Sequence, residues 1–114
     1  MISLVIYLYV RKYLIFSHFH RHLFNALQIP YQLGNLYNCS DLFLNNNKLN
    51  GNIPDTLGDM EYLERLRVHA NSMSGSVPPS LCALGLDQLT ADCADLPQLG
   101  VLVSCPTGCC TECY

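Results

Sequence analysis

Between Cys39 and Leu84 the apolar positions fall into a pattern that repeats. Leu42-Phe43-Leu44 and Leu66-Arg67-Val68 each alternate with period two, which predicts two short strands. Leu42, Leu44, Leu66 and Val68 then share an inward face, and Phe43 and Arg67 point the other way. Around each strand the same residue types return 24 positions later: Asn47 and Asn71, Leu49 and Met73, Gly51 and Gly75, Ile53-Pro54 and Val77-Pro78, Leu57 and Leu81. A constant period of roughly 20 to 29 residues centred on Leu-x-Leu-x-x-Asn predicts stacked coils whose strands pair in parallel.

Each position of the unit has a physical reading. Asn47 and Asn71 stand where the chain leaves a strand, and an amide there can bond the unpaired backbone of its own and the neighbouring coil. Gly51 and Gly75 free the backbone for a second bend. Pro54 and Pro78 remove a donor, hold the chain extended and exclude helix at that point. Leu57 and Leu81 close the coil from the side opposite the strand. Leu86, Leu89 and Ala91 follow Leu63, Leu66 and Val68 by 23, so one more strand is expected before the pattern dissolves into Asp92-Cys93-Ala94-Asp95. Val101-Leu102-Val103 reads as a last extended piece. Upstream, Ile29-Pro30 and Leu33-Gly34 precede Ile53-Pro54 and Leu57-Gly58 by 24, the back half of another unit. Its front half is missing: Leu23 holds the Asn position and Leu27 the Gly position.

The pattern Leu-x-x-Leu-x-Leu-x-x-Asn-x-Leu-x-Gly-x-Ile-Pro-x-x-Leu-Gly resembles the plant-specific class of leucine-rich repeats, found in receptor ectodomains and secreted inhibitors. The match is close from Leu42 to Gly58 and looser in the next unit, where Met73 and Cys82 replace Leu and Gly. The resemblance implies an α/β fold, a short right-handed solenoid with a parallel sheet on its concave face and irregular or 3₁₀ coils on the convex one. It also implies that the cysteine-rich end is a disulfide cap, covering the apolar end that no further coil buries.

Residues 1–28 are of another kind. Met1 to Val10 is apolar, Arg11-Lys12 interrupts, and Tyr13 to Phe16 resumes. A signal peptide would carry a basic residue before the apolar run and a small-x-small site after it, and neither is present. A spanning helix needs about 20 apolar residues, twice this run, and the positive residues that follow it would leave the repeats in the cytoplasm. The preferred reading is a short apolar helix capping the open end of the stack, with a membrane anchor (association through residues 1–16) or a signal-like remnant as the alternatives. Three segments are therefore expected: 1–28, repeats over 29–92, and a cysteine-rich cap over 93–114.

The 114 residues permit one domain. Charged residues make up 13% and the net charge is −3, which gives no electrostatic footprint for nucleic acid. Six of the seven cysteines, Cys82, Cys93, Cys105, Cys109, Cys110 and Cys113, fall in the last third, a density that points to an oxidising compartment. Their 15 possible pairings are not separable from sequence. Cys39 holds the inward position of Leu63, so it reads as a buried thiol that leaves six to pair. Asn38-Cys39-Ser40 is a glycosylation sequon, which makes Asn38 a candidate acceptor.

Three places offer sharper chemistry. Cys110-Thr111-Glu112-Cys113 has redox spacing, but no βαβ unit surrounds it. Cys105, Cys109, Cys110 and Cys113 could hold zinc, yet the adjacent Cys109-Cys110 suits disulfides better. His18, His20 and His22 would share a face on a strand and scatter on the expected helix. No nucleophile–His–acid arrangement is visible. No enzyme activity, cofactor or metal is expected.

What remains is binding. Outward strand positions of adjacent coils form three rows: Asp41–Arg65–Gln88, Phe43–Arg67–Thr90 and Asn45–His69–Asp92. The expected function is an extracellular or membrane-associated module that binds a protein, peptide or carbohydrate on this concave face. The alternative is a terminal fragment of a larger receptor with only a capping role.

Overall fold

A computed structural model describes residues 28–36, 38–98 and 100–114 in full, and the backbone of residues 2–10 and 13–21. In chain order the strands are β1 (Ile2–Val10), β2 (Tyr13–Arg21), β3 (Asp41–Phe43), β4 (Asn50–Asn52), β5 (Arg65–Arg67), β6 (Ser72–Ser74), β7 (Gln88–Ala91) and β8 (Glu112–Cys113). One sheet runs β2-β1-β3-β5-β7-β8, and a second consists of β4-β6.

The repeat period sets the register. Asp41 pairs with Arg65 and Phe43 with Arg67 across β3 and β5, and the shorter step of 23 brings Gln88 beside Arg65 and Thr90 beside Arg67. All three strands are parallel, as is β4 with β6 through Gly51 and Met73. Inward residues of the strands meet residues from the opposite side of each coil in one apolar core. Leu42, Leu66, Leu57 and Leu81 have no exposed surface, and Leu44, Val68, Leu89 and Val77 have about 1%. Each such side chain contributes roughly 1.5–3 kcal/mol on leaving water.

Opposite the strands, Pro30, Pro54 and Pro78 are extended, with φ of −63°, −64° and −61°. Each is followed by a short helical turn. Two are 3₁₀, Tyr31–Asn35 and Asp55–Asp59, and the third is α1 (Pro79–Cys82). These turns stack closely. A Cβ on Gly34 would lie 2.3 Å from the Thr56 carbonyl oxygen, and one on Gly58 would lie 2.4 Å from Ser80 Oγ. Only hydrogen fits at those two points.

The expected N-terminal helix is corrected by the structure. β1 and β2 form an antiparallel hairpin, and β1 also pairs antiparallel with β3, Leu8 beside Leu42. The physical reason lies at the sheet edge. A first repeat strand would leave a row of backbone donors and acceptors unpaired. The segment is rich in Ile, Val, Tyr and Phe, which favour extended backbone. β1 stands where the strand of a preceding coil would stand, in the opposite direction. His18 and His20 consequently lie on a strand rather than a helix. His22, Leu23 and Leu27 lie outside the described residues.

At the other end, the tail itself supplies the last strand. β8 pairs in parallel with β7, Thr90 beside Glu112 and Ala91 beside Cys113. The piece Val101–Val103 expected to be extended is not a strand, although Val103 is buried and Ser104 bridges Ser76 in parallel. Three disulfides hold the segment: Cys82–Cys109, Cys93–Cys113 and Cys105–Cys110. Cys39 is a buried thiol outside the three disulfides. It donates to the carbonyl of Asp41, two residues on, 3.3 Å away. No helix of the described residues is long and apolar enough to cross a membrane.

Candidate functional site

Strand pairing brings the first two expected rows into register, Asp41–Arg65–Gln88 and Phe43–Arg67–Thr90, and the residues of the three rows differ in what they expose. In the first, Arg65 forms a two-pronged ion pair with Asp41, its Nε donating to Oδ1 at 2.8 Å and its Nη2 to Oδ2. This contact raises the Arg65 pKa above its ordinary value. Asp41 is buried (4% exposed), so it positions Arg65 and offers a ligand almost nothing.

The second row carries the face. The Arg67 guanidinium lies over the Phe43 ring, 4.2 Å from Cζ to centroid, and Arg65, on the same strand as Arg67, has its Cζ 6.0 Å from that centroid. Arg67 Nε donates to Gln88 Oε1 at 3.0 Å, linking the row to the first. Phe43, Arg67 and Gln88 are each half-buried. A fixed guanidinium on an aromatic face is held with little remaining freedom, which suits it to meet a partner. Thr90, expected on this face, has no exposed surface. β8 covers it, and its hydroxyl shares a 2.6 Å hydrogen bond with His69 Nδ1.

In the third row His69 is stacked flat on Tyr114, with ring centroids 4.0 Å apart and planes 10° apart. Burial leads the effects that hold its pKa below 6.5. Arg67 adds to the lowering, and Asp92 and Glu112 oppose it. Tyr114 donates its hydroxyl to Glu112 at 2.9 Å, which raises the phenol pKa above 10.0. Asp92 turns back to the chain: its carboxylate accepts the Ala70 and Asn71 amides at 2.9 and 3.1 Å. It closes the turn of the preceding coil rather than facing outward. Asn45 is half-exposed.

The amide ladder expected of Asn47 and Asn71 is present. Asn71 Nδ2 donates to Leu44, Val68 and His69 carbonyls at 3.0, 2.9 and 3.3 Å, and its Oδ1 accepts the Leu49 amide at 3.1 Å. Asn47 Nδ2 serves Leu44 and Asn45 of its own coil at 2.9 and 3.2 Å. Gly51 and Gly75 take positive φ, 76° and 80°, as their bends require.

Two features escaped the sequence reading. A second ladder of hydroxyls runs along the opposite side, with Thr56 donating to the Tyr31 carbonyl at 2.7 Å and Ser80 to the Asp55 carbonyl at 3.0 Å. Its signal was available, since both pairs repeat at 24. The other is the sheet edge made by Thr111, Glu112 and Tyr114. Thr111 Oγ1 accepts from the Leu89 amide at 2.9 Å and donates to the Leu89 carbonyl at 3.1 Å, seating β8. No periodic signal announces it, because the disulfides deliver that segment. Asn38 is exposed.

Compared with known proteins, residues 38–60 match the family model described as Leucine Rich Repeat. No curated protein matches the chain. The match supports a leucine-rich repeat protein, and the parallel strands at the repeat period fit that fold.

Proposed function

We propose that the chain is a protein-binding module that acts outside the cell or at its surface. It would present the face of β3, β5 and β7 as the concave side of a short right-handed solenoid of the plant-specific repeat class. The observation that carries the reading is the set Phe43, Arg67 and Gln88, held together by the stacked guanidinium and its hydrogen bond and left half-open to solvent. Arg and aromatic residues are the types that dominate binding energy when a partner buries them. Three disulfides favour an oxidising compartment, and the exposed Asn38 fits a glycan acceptor there. The partner is a protein or peptide, with carbohydrate as a further ligand class, and no nucleic acid. Binding, not catalysis, is the role proposed.

Selection of peptides from a displayed random library against the folded chain tests this. Ligands recovered on wild type should lose affinity by about 30-fold or more on a Phe43→Ala, Arg67→Ala double variant, as expected when binding anchors are removed. The variant's circular dichroism should be unchanged. Ligands that bind both proteins equally place the site elsewhere.

A further inference from the structure

Strand pairing carries one row across the repeat sheet and onto the cap. Phe43 stands beside Arg67, Arg67 beside Thr90, and Thr90 beside Glu112. Phe43 and Arg67 are half-buried and Glu112 is exposed, whereas Thr90 has no exposed surface. A partner lying along this row meets a ring, a guanidinium and, two strands further on, a carboxylate. Arg67 donates through Nε to Gln88 Oε1 at 3.0 Å, and its two terminal nitrogens have no hydrogen-bond partner among the described residues. Arg65, on the same strand, is neutralised by Asp41. Glu112 accepts the Tyr114 hydroxyl at 2.9 Å and forms no ion pair among the described residues. The row therefore presents one open positive charge and one open negative charge.

We propose that this row docks a peptide segment in polyproline II conformation that crosses the strands, with an acidic residue on Arg67 and a basic residue three positions away on Glu112. This ligand presupposes that the face is a binding surface, as proposed above. Neighbouring strands lie about 4.8 Å apart, so Arg67 and Glu112 are separated by roughly 9.6 Å across the sheet. A polyproline II chain has about 3 residues per turn and a rise of about 3.1 Å, so every third residue returns to the same face after about 9.3 Å. A β-strand returns to the same face after about 6.6 or 13 Å and misses that spacing. An α-helix would need an apolar groove for its apolar stripe, and the row offers the single ring of Phe43.

Both charged groups are held before the peptide arrives. The Arg67 guanidinium already lies over Phe43, 4.2 Å from Cζ to centroid, so it loses little freedom when its open edge meets a carboxylate in a two-pronged contact. A proline beside the acid would cover the open part of the Phe43 ring, as proline-rich segments do in aromatic-lined grooves. Glu112 is fixed by the cap. β8 pairs with β7, Cys93–Cys113 ties down the next residue, and the Tyr114 hydroxyl holds the carboxylate. The cap thus supplies one of the two charges that recognise the ligand, besides covering the end of the stack. Opposite charges at a fixed distance reject segments with two acids or two bases, so the row contributes more to selectivity than to affinity.

Selection from a displayed random peptide library against the oxidised full chain and its charge variants tests this. Ligands of the wild type should be enriched for an acid and a base three positions apart, in either order. Glu112→Lys should instead select two acids at that spacing, and Arg67→Glu two bases. Glu112→Gln, which still accepts from the Tyr114 hydroxyl, should keep the acid and drop the base. In a resynthesised wild-type ligand, moving the base by one position should weaken binding about 5-fold, the size of an exposed ion pair. Thiol titration checks that each variant keeps its three bridges. Enrichment at a spacing of two, four or seven, or one motif selected by wild type and variants alike, overturns the proposal. Ligands that depend on Phe43 and Arg67 but lack the charge pair also overturn it, and leave the binding face intact. Ligands indifferent to both residues, or none at all, overturn both readings.

Discussion

At the scale of single residues, the turn after each strand shows how a repeat can be correct in pattern and imperfect in detail. Asn46 and Ala70 hold equivalent places and both take the left-handed backbone, with φ of 58° and 57°. Asn tolerates that region because its short polar side chain bonds locally, whereas Ala does not. Ala70→Asn should therefore stabilise the chain by about 1 kcal/mol, seen as a rise of several degrees in melting temperature. No change, or a fall, would mean that the Asp92 contacts to the Ala70 and Asn71 amides already remove the strain. His69 gives a second test. Its folded pKa lies below 6.5, so the unfolded chain takes up the proton first as the pH falls. Its contribution to stability is complete above 6.5 and is lost as the pH drops through the lower folded value. The urea midpoint should fall between about pH 7 and pH 5, and His69→Phe, which keeps an aromatic ring against Tyr114, should flatten that part of the profile. An identical slope in the variant would assign the pH dependence to carboxylates instead.

At the scale of elements, strand positions, turn amides and prolines were legible because each is repeated, and repetition turns a weak local preference into a register. Leu42 over Leu66 over Leu89 follows from counting alone. The contacts between coils were less legible. Gly34 and Gly58 look like ordinary turn glycines in sequence, but the structure shows them as points where one coil touches the next without room for a methyl group. Gly34→Ala should destabilise the chain by about 1–3 kcal/mol, the usual cost of forcing atoms into a packed contact, because a backbone carbonyl cannot step aside as a side chain can. Denaturant unfolding measures this. A loss well under 0.5 kcal/mol would show that the Tyr31–Asn35 turn is free to lift off its neighbour.

For the whole molecule, the middle was readable and both ends were not. The hairpin of β1 and β2 carries no repeat signal, and an apolar run of ten residues fits helix or strand until the edge it must cover is known. The tail was legible as a disulfide region, and Cys39 as the thiol outside it, but the pairing depends on distances that only the folded stack sets. Asp41, Thr90 and Asp92 were expected to face outward. Ion pairing, the added strand β8 and the turn amides claim them instead. These features make a prediction for the oxidised chain. Thiol titration should find no reactive thiol under native conditions and one in denaturant, from Cys39, and more than one would contradict the three bridges. Each bridge in a small domain typically contributes about 2–5 kcal/mol, as much as so short a stack has in total, so reduction should unfold the chain in one transition.

Cys82 occupies the place that Gly34 and Gly58 hold in the two coils before it. Where those glycines leave a gap for the following turn, Cys82 puts a side chain, and the side chain is tied to Cys109. The array therefore has a direction of growth written into it. Duplicating a 24-residue unit within the glycine-bearing part leaves every junction with hydrogen against the next turn, and the new coil docks. Adding the same unit after Cys82 meets a filled and tethered surface. Lengthening of this chain, by recombination or by design, is confined to insertion from within, and its last coil stays last.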